Sequence, residues 1–396
     1  MSTNINKFCF VAIVRNESHV INRFLDSAKN IATSMVICDT GSTDNTIEII
    51  EEFMKQNSIP GKVIKDTWVN YAVNRSKLMN YVYNDNEALD AKYIIWHDAD
   101  EVFITNENDS LSYLTKQDAD SLYEWLERQP QSITHITTKY GNSRYPRTNI
   151  CKNNQLYEWH CPKHEFLLGT KSNTVVHYNK FVLLARQEGN ASRDPERCVR
   201  DSKMFLDHIE LQGGIDKCPR EVFYLAMEFE SFDVEQAIKY HKLKVDHVIR
   251  YDSERYISCL HLGRICTNET DIVKYLKIGI ETCPDRLECV NELVKYYIKV
   301  GKHTKALSWA VRGSESRTID VGALFSECSV YDYDFDLNYS LAAHFAGKNE
   351  LADYINKKNL MKNNGTFVER QLLINQKFIQ KNACASGLNV YDITLL

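Results

Sequence analysis

The chain has 396 residues, 43% of them hydrophobic and 26% charged, enough to bury at least one large core and to form two or three domains. Its net charge of −5 and pI near 6.2 argue against a nucleic-acid partner, which demands a basic face. No apolar run reaches the roughly 18 to 20 residues of a membrane span, and Met1 to Lys7 is polar where a signal peptide needs an apolar centre, so a cytoplasmic protein is expected.

From the N-terminus, short β-rich runs alternate with helical patterns. Phe8 to Val14 reads as a strand, Val20 to Asn30 as a helix, Met35 to Cys38 as a strand and Thr43 to Gln56 as a helix. Lys62 to Lys65 follows as a short strand, then a helix from Tyr71 to Tyr83, then the apolar strand Tyr93 to Trp96. Repeated β-α-β units of this kind predict a parallel sheet with helices on both faces. Three polar loops fall at strand C-termini, where open α/β sheets bind ligands: Arg15-Asn16-Glu17, Asp39 to Asp44, and Asp98-Ala99-Asp100. Asp-x-Asp at a strand end presents hard oxygen ligands to a divalent cation and leaves positions open for phosphates. Asp39 can accept hydrogen bonds from a base, and Gly41 allows a tight turn. Ser42, Thr43 and Asp44 read either as part of that site or as the N-cap of the next helix.

Taken together, Val11 to Glu17, Ile37 to Thr46 and Asp98-Ala99-Asp100 resemble the motifs of a family 2 glycosyltransferase, over roughly residues 7 to 210. The resemblance implies an α/β domain of the GT-A nucleotide-diphospho-sugar transferase fold, with a Rossmann-like mixed sheet. It also implies that Arg15, Glu17 and Asp39 hold the nucleoside, with Asp39 facing uracil if the donor is a UDP-sugar. Asn74-Arg75 matches the family's Arg-Asn segment in reversed order, leaving Arg75 either as a base or phosphate contact or as a solvent-facing arginine. Asp98 is expected near the ribose and the metal shell, with Asp100 binding Mn²⁺ or Mg²⁺ directly. His177, after the strand-like Thr174 to Val176, is the expected further metal ligand.

Transfer needs a base, and His164-Glu165 resembles the family's His-Glu element. Glu165 receives the base role, and His164 orients it or contacts the donor phosphates; Glu101 and Asp98 are rivals for the base. Arg186, Arg193, Arg197 and Arg200 form a basic interval suited to closing on a diphosphate, with Arg193 expected to reach in. Twelve cysteines are scattered singly from Cys9 to Cys384 without CxxC spacing and are expected to be reduced. His160, Cys161 and His164 have zinc-ligand chemistry, but no second cluster accompanies them.

Beyond residue 212 the pattern is helical throughout and repeats: Cys218-Pro219 and Cys283-Pro284 each precede an apolar helix. Their separation is nearly two tetratricopeptide periods of about 34 residues. We therefore expect a domain at 1–212, a tetratricopeptide-like helical-repeat domain at 213–362, and a capping helix with tail at 363–396. Such arrays bind peptides or steady neighbours, and the resemblance allows a homodimer through this region. Two functions follow. One is a metal-dependent, inverting glycosyltransferase that moves one sugar from a nucleotide-sugar to a glycan or protein acceptor. The other is an inactive sugar-nucleotide fold that recruits partners through its helices. The intact carboxylate pair favours the first.

Overall fold

The computed structural model describes residues 7–84, 91–106, 109, 111–130, 132–141, 143–171, 173–248, 250–315, 323–363, 365–366 and 368–382. The chain divides into two compact units, Met1–His208 and Ile209–Leu396.

The first unit opens β1 (Phe8–Val14), α1 (Ile21–Ala28), β2 (Ser34–Asp39), α2 (Thr46–Gln56), β3 (Gly61–Lys65), α3 (Tyr71–Asn84) and β4 (Tyr93–Trp96). It continues with β5 (Val102–Ile104), α4 (Lys116–Glu127), β6 (Ile133–Tyr140), β7 (Ser143–Lys152), β8 (Tyr157–His160), β9 (Phe166–Gly169), β10 (Val175–Leu184), α5 (Asn190–Arg193) and α6 (Arg197–Leu211). Eight strands form one sheet in the order β3-β2-β1-β4-β7-β6-β10-β5, and β8 with β9 forms a separate hairpin. β3, β2, β1 and β4 run parallel, as the β-α-β alternation predicts. β7 is inserted antiparallel between β4 and β6, and β5 pairs antiparallel with β10, so the sheet is mixed.

Strand alternation sorts the side chains of β1 between two cores. Phe8, Phe10, Ala12 and Val14 pack with Ile21, Phe24, Leu25 and Ala28 of α1 and with residues of α2 and α4. Cys9 and Val11 face the other way, onto Leu78, Met79 and Val82 of α3 and Trp159 of β8. The buried residues of α1 recur at helical spacing, which gives it one apolar stripe. α4 starts at a capping box in which Thr115 and Asp118 satisfy each other's backbone N–H. The described cysteines are all free thiols.

The second unit comprises α7 (Pro219–Phe229), α8 (Val234–Asp246), α9 (Asp252–Ile265), α10 (Glu269–Thr282), α11 (Glu288–Lys299), α12 (His303–Ser314), α13 (Phe335–Phe345), α14 (Asn349–Lys362) and α15 (Glu369–Asn382). They pack as successive pairs, α7 with α8, α9 with α10, α11 with α12, and α13 with α14. α7, α9 and α11 begin at residues 219, 252 and 288, spacings near the tetratricopeptide period of about 34. The two Cys-Pro pairs differ in use. Pro219 occupies the first helical turn, where its missing N–H costs nothing, whereas Pro284 lies in the turn before α11. Glu288, fully buried on α11, accepts from Tyr256 (2.9 Å), Tyr331 (3.0 Å) and Arg286 (2.9 Å), so the charge is paired and its lone pairs are used. No helix among the described residues is long and apolar enough to cross a membrane.

Glycine at position 279 lets α10 lie close to its neighbours. A Cβ there would sit 2.6 Å from Cys289 Sγ and 3.0 Å from Cys259 Cβ. Gly279→Val should therefore overpack the α9–α10–α11 contact and lower stability by about 1 to 3 kcal/mol, read as a reduced urea midpoint.

Candidate functional site

The register of the parallel strands decides which loops meet. Val14 pairs with Asp39, and Val11 with Trp96, so the segments after β1, β2 and β4 emerge on one rim. The first two are interlocked. Asn16 accepts from Thr43 N–H (2.7 Å), its own N–H donates to Ser42 Oγ (2.9 Å), and Glu17 N–H donates to Thr46 Oγ1 (2.8 Å). Asp44 accepts from Ser18 N–H (3.2 Å) and from Thr46 N–H (3.1 Å). Burial opposes the charge on Asp44, but hydrogen bonds from the Ser18 and Thr46 hydroxyls, with those two amides, prevail and lower its pKa to about 2. Neither sequence reading of residues 42–44 holds in full, because α2 is capped at Asn45 without a side-chain bond and the three residues clasp one loop to the other.

Asp39 is buried at the end of β2. Its Oδ1 accepts from Gly41 N–H and Ser42 N–H, both at 3.0 Å, a turn that needs the positive φ of 108° at Gly41. Its Oδ2 is buried and has no hydrogen-bond partner among the described residues. Arg15 is exposed on the same rim, and among the described residues no hydrogen bond or ion pair engages it.

Asp98 and Asp100 differ although one residue separates them. Asp98 forms ion pairs with Arg75 and, at 4.0 Å, with Arg147. Burial opposes its charge, yet the two guanidiniums prevail and hold the carboxyl below its usual range. Asp100 has no cationic side chain paired with it among the described residues; its Oδ2 accepts from Gly189 N–H at 2.9 Å. Burial and the neighbouring Asp98 charge push its pKa up. Glu17 joins this group. Burial first, then the charges of Asp100, Asp98 and Asp44, raise its pKa to about 7 against the hydrogen bond from Asn190 N–H.

Arg75 is the hub. It is buried on α3, its guanidinium lies 4.3 Å from the Trp96 ring centroid, and it divides its donors between Asp98 and Glu165. The solvent-facing reading of this arginine is thereby excluded. Asn74 holds the segment that follows β3, donating to Asp66 (3.0 Å) and to Thr67 O (2.9 Å) and accepting from Val69 N–H (2.9 Å), which shapes the approach to α3.

Glu165 reaches Arg75 from the β8–β9 hairpin. β8 is fastened to α3 by Trp159 N–H to Ser76 Oγ (2.8 Å) and Trp159 Nε1–H to Met79 Sδ (2.9 Å). Tyr71 N–H donates to Pro162 O at 3.2 Å, and Lys163 pairs with Asp201 at 2.7 Å. The connection turns through left-handed φ at Cys161 (74°) and His164 (57°), conformations a non-glycine residue adopts at a cost. His164 is exposed there, and His160 stacks on Phe166 with ring centroids 5.5 Å apart. Among the described residues these histidines and Cys161 form no metal-ligand grouping.

His177 is not brought to the carboxylates. It pairs with His135, and Leu184, beside Val102 at the other end of β10, pairs with Lys139. Four residues of β6 separate those positions, about 13 Å along a strand. His177 bonds instead to Thr137 Oγ1 at 3.0 Å. The expectation placed it at a strand end, whereas β10 continues past it to Leu184.

The segment after β10 does reach the rim. Glu188 is anchored by Arg23 (2.5 Å) and by His19 Nε2 to its carbonyl (2.9 Å), and the next two N–H groups cap Asp100 and Glu17. Arg193 closes the short α5 that follows and is exposed, with no bond to it among the described residues. Arg200 is tied to Asp194 and Asp201. Sequence reasoning missed Arg147, which lies on the antiparallel β7 and pairs with Glu101, because no motif surrounds it. It also missed the Gly189 and Asn190 amides, which carry no side-chain signal.

Residues 9–162 match the family described as Glycosyl transferase family 2. An uncharacterized glycosyltransferase of Rickettsia bellii is 31% identical over 102 residues, 26% of this chain and 30% of that protein. One of Rickettsia felis is 29% identical over 110 residues, 28% of this chain and 34% of that protein. The chain thus spans about a third of the length of these curated relatives. Among solved structures, S. aureus TarS 1-349 in complex with UDP-GlcNAc shows 11% identity with a TM-score of 0.37, covering 86% of this chain and 92% of that one.

His97 supplies a pH probe beside the site. It is buried against Phe10, Phe24 and Phe103, with ring centroids 5.2, 4.7 and 5.0 Å away, and burial lowers its pKa to about 4. Unfolded, it takes a proton near pH 6.5; folded, it stays neutral until about pH 4, so acid favours the unfolded chain between those values. Its share of stability should fall as pH drops through that window, by up to about 3 kcal/mol. His97→Phe should flatten that part of the pH-stability curve in urea titrations.

Proposed function

We propose, taking the glycosyl transferase family 2 region at residues 9–162 as the premise, that the chain transfers one sugar from a nucleotide-diphospho-sugar to a glycan or protein acceptor. The observation that carries this reading is the asymmetry of the carboxylate pair. Asp98 is neutralised by two arginines, and Asp100 beside it has no cationic partner among the described residues. A half-buried carboxylate of that kind suits a hard divalent cation, Mn²⁺ or Mg²⁺, held by Asp100 with Asp98. When bound, the ion would supply charge neutralisation to the departing nucleoside diphosphate.

The remaining roles fall to side chains and backbone. Asp39 Oδ2 accepts the ring N–H of uracil, a match that favours a UDP-sugar, because cytosine offers an acceptor at the equivalent nitrogen. Arg15 and Glu17 flank the nucleoside, and Arg193 binds the diphosphate as the 188–193 segment closes and excludes water. Arg75 fixes Glu165 relative to Asp98. Glu165 takes the proton of the acceptor hydroxyl while the acceptor oxygen bonds to the anomeric carbon and the bond to the diphosphate oxygen breaks. Direct displacement of this kind inverts the anomeric centre. The helical unit is read as a tetratricopeptide-like array that binds an acceptor segment or a second copy of the chain.

A panel of nucleotide-sugars, screened by thermal shift with and without Mn²⁺, tests the donor site. A cognate donor should raise the melting temperature by mass action, and Asp100→Asn should remove the metal-dependent part. Full retention of that part would refute the ligand assignment. Glu165→Gln should lower transfer by about 10² to 10⁴ while donor binding stays within a few-fold. Unchanged turnover would exclude Glu165 as the base.

A further inference from the structure

Three side chains of zinc-ligand type converge within the helical unit, on consecutive helices. Glu230 caps the C-terminus of α7, His241 lies on α8, and His261 lies on α9. One oxygen of Glu230 is 2.7 Å from His241 Nε2 and 2.5 Å from His261 Nδ1. All three ligand atoms fall within 4.8 Å of one another, and the two imidazole centroids are 5.5 Å apart. His241 is fully buried, and the side chains of His261 and Glu230 are 20% and 25% exposed, so the group opens to solvent on one side only.

We propose that Glu230, His241 and His261 form a binding site for a divalent transition-metal ion of the zinc class, clamping α7, α8 and α9 together. Two imidazole nitrogens and a carboxylate oxygen are the donor set of a three-ligand zinc site, with the fourth position left to water. Tetrahedral coordination at about 2.0 to 2.1 Å places ligand atoms about 3.3 Å apart. The two oxygen-to-nitrogen distances, 2.7 and 2.5 Å, therefore have to open by less than an ångström, and the two nitrogens already lie within 4.8 Å of each other. Protons hold that state: each imidazole N–H points at the shared carboxylate oxygen. On metal binding each imidazole keeps its proton but carries it on the other ring nitrogen. His241 already has an acceptor placed for that tautomer, since its Nδ1 is 3.1 Å from Ser258 Oγ, itself buried. A hydroxyl that can accept from the far nitrogen is the outer partner that orients a metal-binding histidine.

The site is remote in sequence from the carboxylates of the donor rim, so the two can be tested separately. The full chain carrying Asp100→Asn, stripped with chelator, is titrated with Zn²⁺ alone and, in parallel, with Co²⁺. One equivalent of Zn²⁺ should bind and raise the melting temperature. Glu230→Gln and His261→Gln, each in the same background, should weaken binding at least tenfold and abolish the thermal shift. Co²⁺ should give the visible bands of a low-coordinate nitrogen-and-oxygen site. Absence of Zn²⁺ binding, binding in both variants unchanged from the Asp100→Asn parent, or a thiolate-to-cobalt charge-transfer band would each overturn the assignment. If one variant fails to fold, the other carries the comparison.

Discussion

Crowding of negative charge at one edge of the sheet is the constraint that the N-terminal unit is organised around. Parallel pairing delivers Glu17, Asp98, Asp100 and Glu101 to the same rim, and like charges in a partly dry site repel. Two arginines relieve part of this. Arg75 comes from α3 and Arg147 from β7, and both lie against the ring of Trp96, at 4.3 and 5.1 Å. Their charges go to Asp98, Glu101 and Glu165, which leaves Asp100 and Glu17, among the described residues, to be met by backbone amides alone. Asp100 and Glu17 thus keep no cationic side-chain partner among the described residues, and with Asp39 they look onto the proposed donor.

The scaffold serves this arrangement. β7 is the odd strand of the sheet, antiparallel between β4 and β6, and its direction brings Arg147 beside the loop that follows β4. The β8–β9 hairpin is bonded to α3 along its first strand, so Glu165 and Arg75 are positioned by the same helix. Left-handed backbone at Cys161 and His164 marks where that hairpin bends to deliver the glutamate.

Local patterns in the sequence carried much of this, and long-range pairing carried the rest. β1 and β4 match their apolar runs residue for residue, because a strand buried on both faces is an unbroken hydrophobic segment. The carboxylates sit where the end of such a run puts them. Strand length failed at β10, whose exposed and buried residues alternate irregularly around a bulge after Tyr178, so His177 was placed at an end it does not occupy. Arg147 was illegible for a different reason: its importance comes from the order of strands in the sheet, which no short window encodes. The Glu230, His241 and His261 grouping was equally hidden, spread over three helices whose packing brings it together.

The amides of Gly189 and Asn190 have a consequence for how this rim responds to change. They bond the two unneutralised carboxylates through the main chain, so replacing side chains one at a time is nearly blind to them. Proline, which lacks the N–H, is the substitution that exposes the contact at either position. At residue 189 even a methyl group would lie 3.2 Å from Asp100 Oδ2. Side-chain changes at 189 therefore press on the Asp100 carboxylate while those at 190 do not, although both residues do the same work.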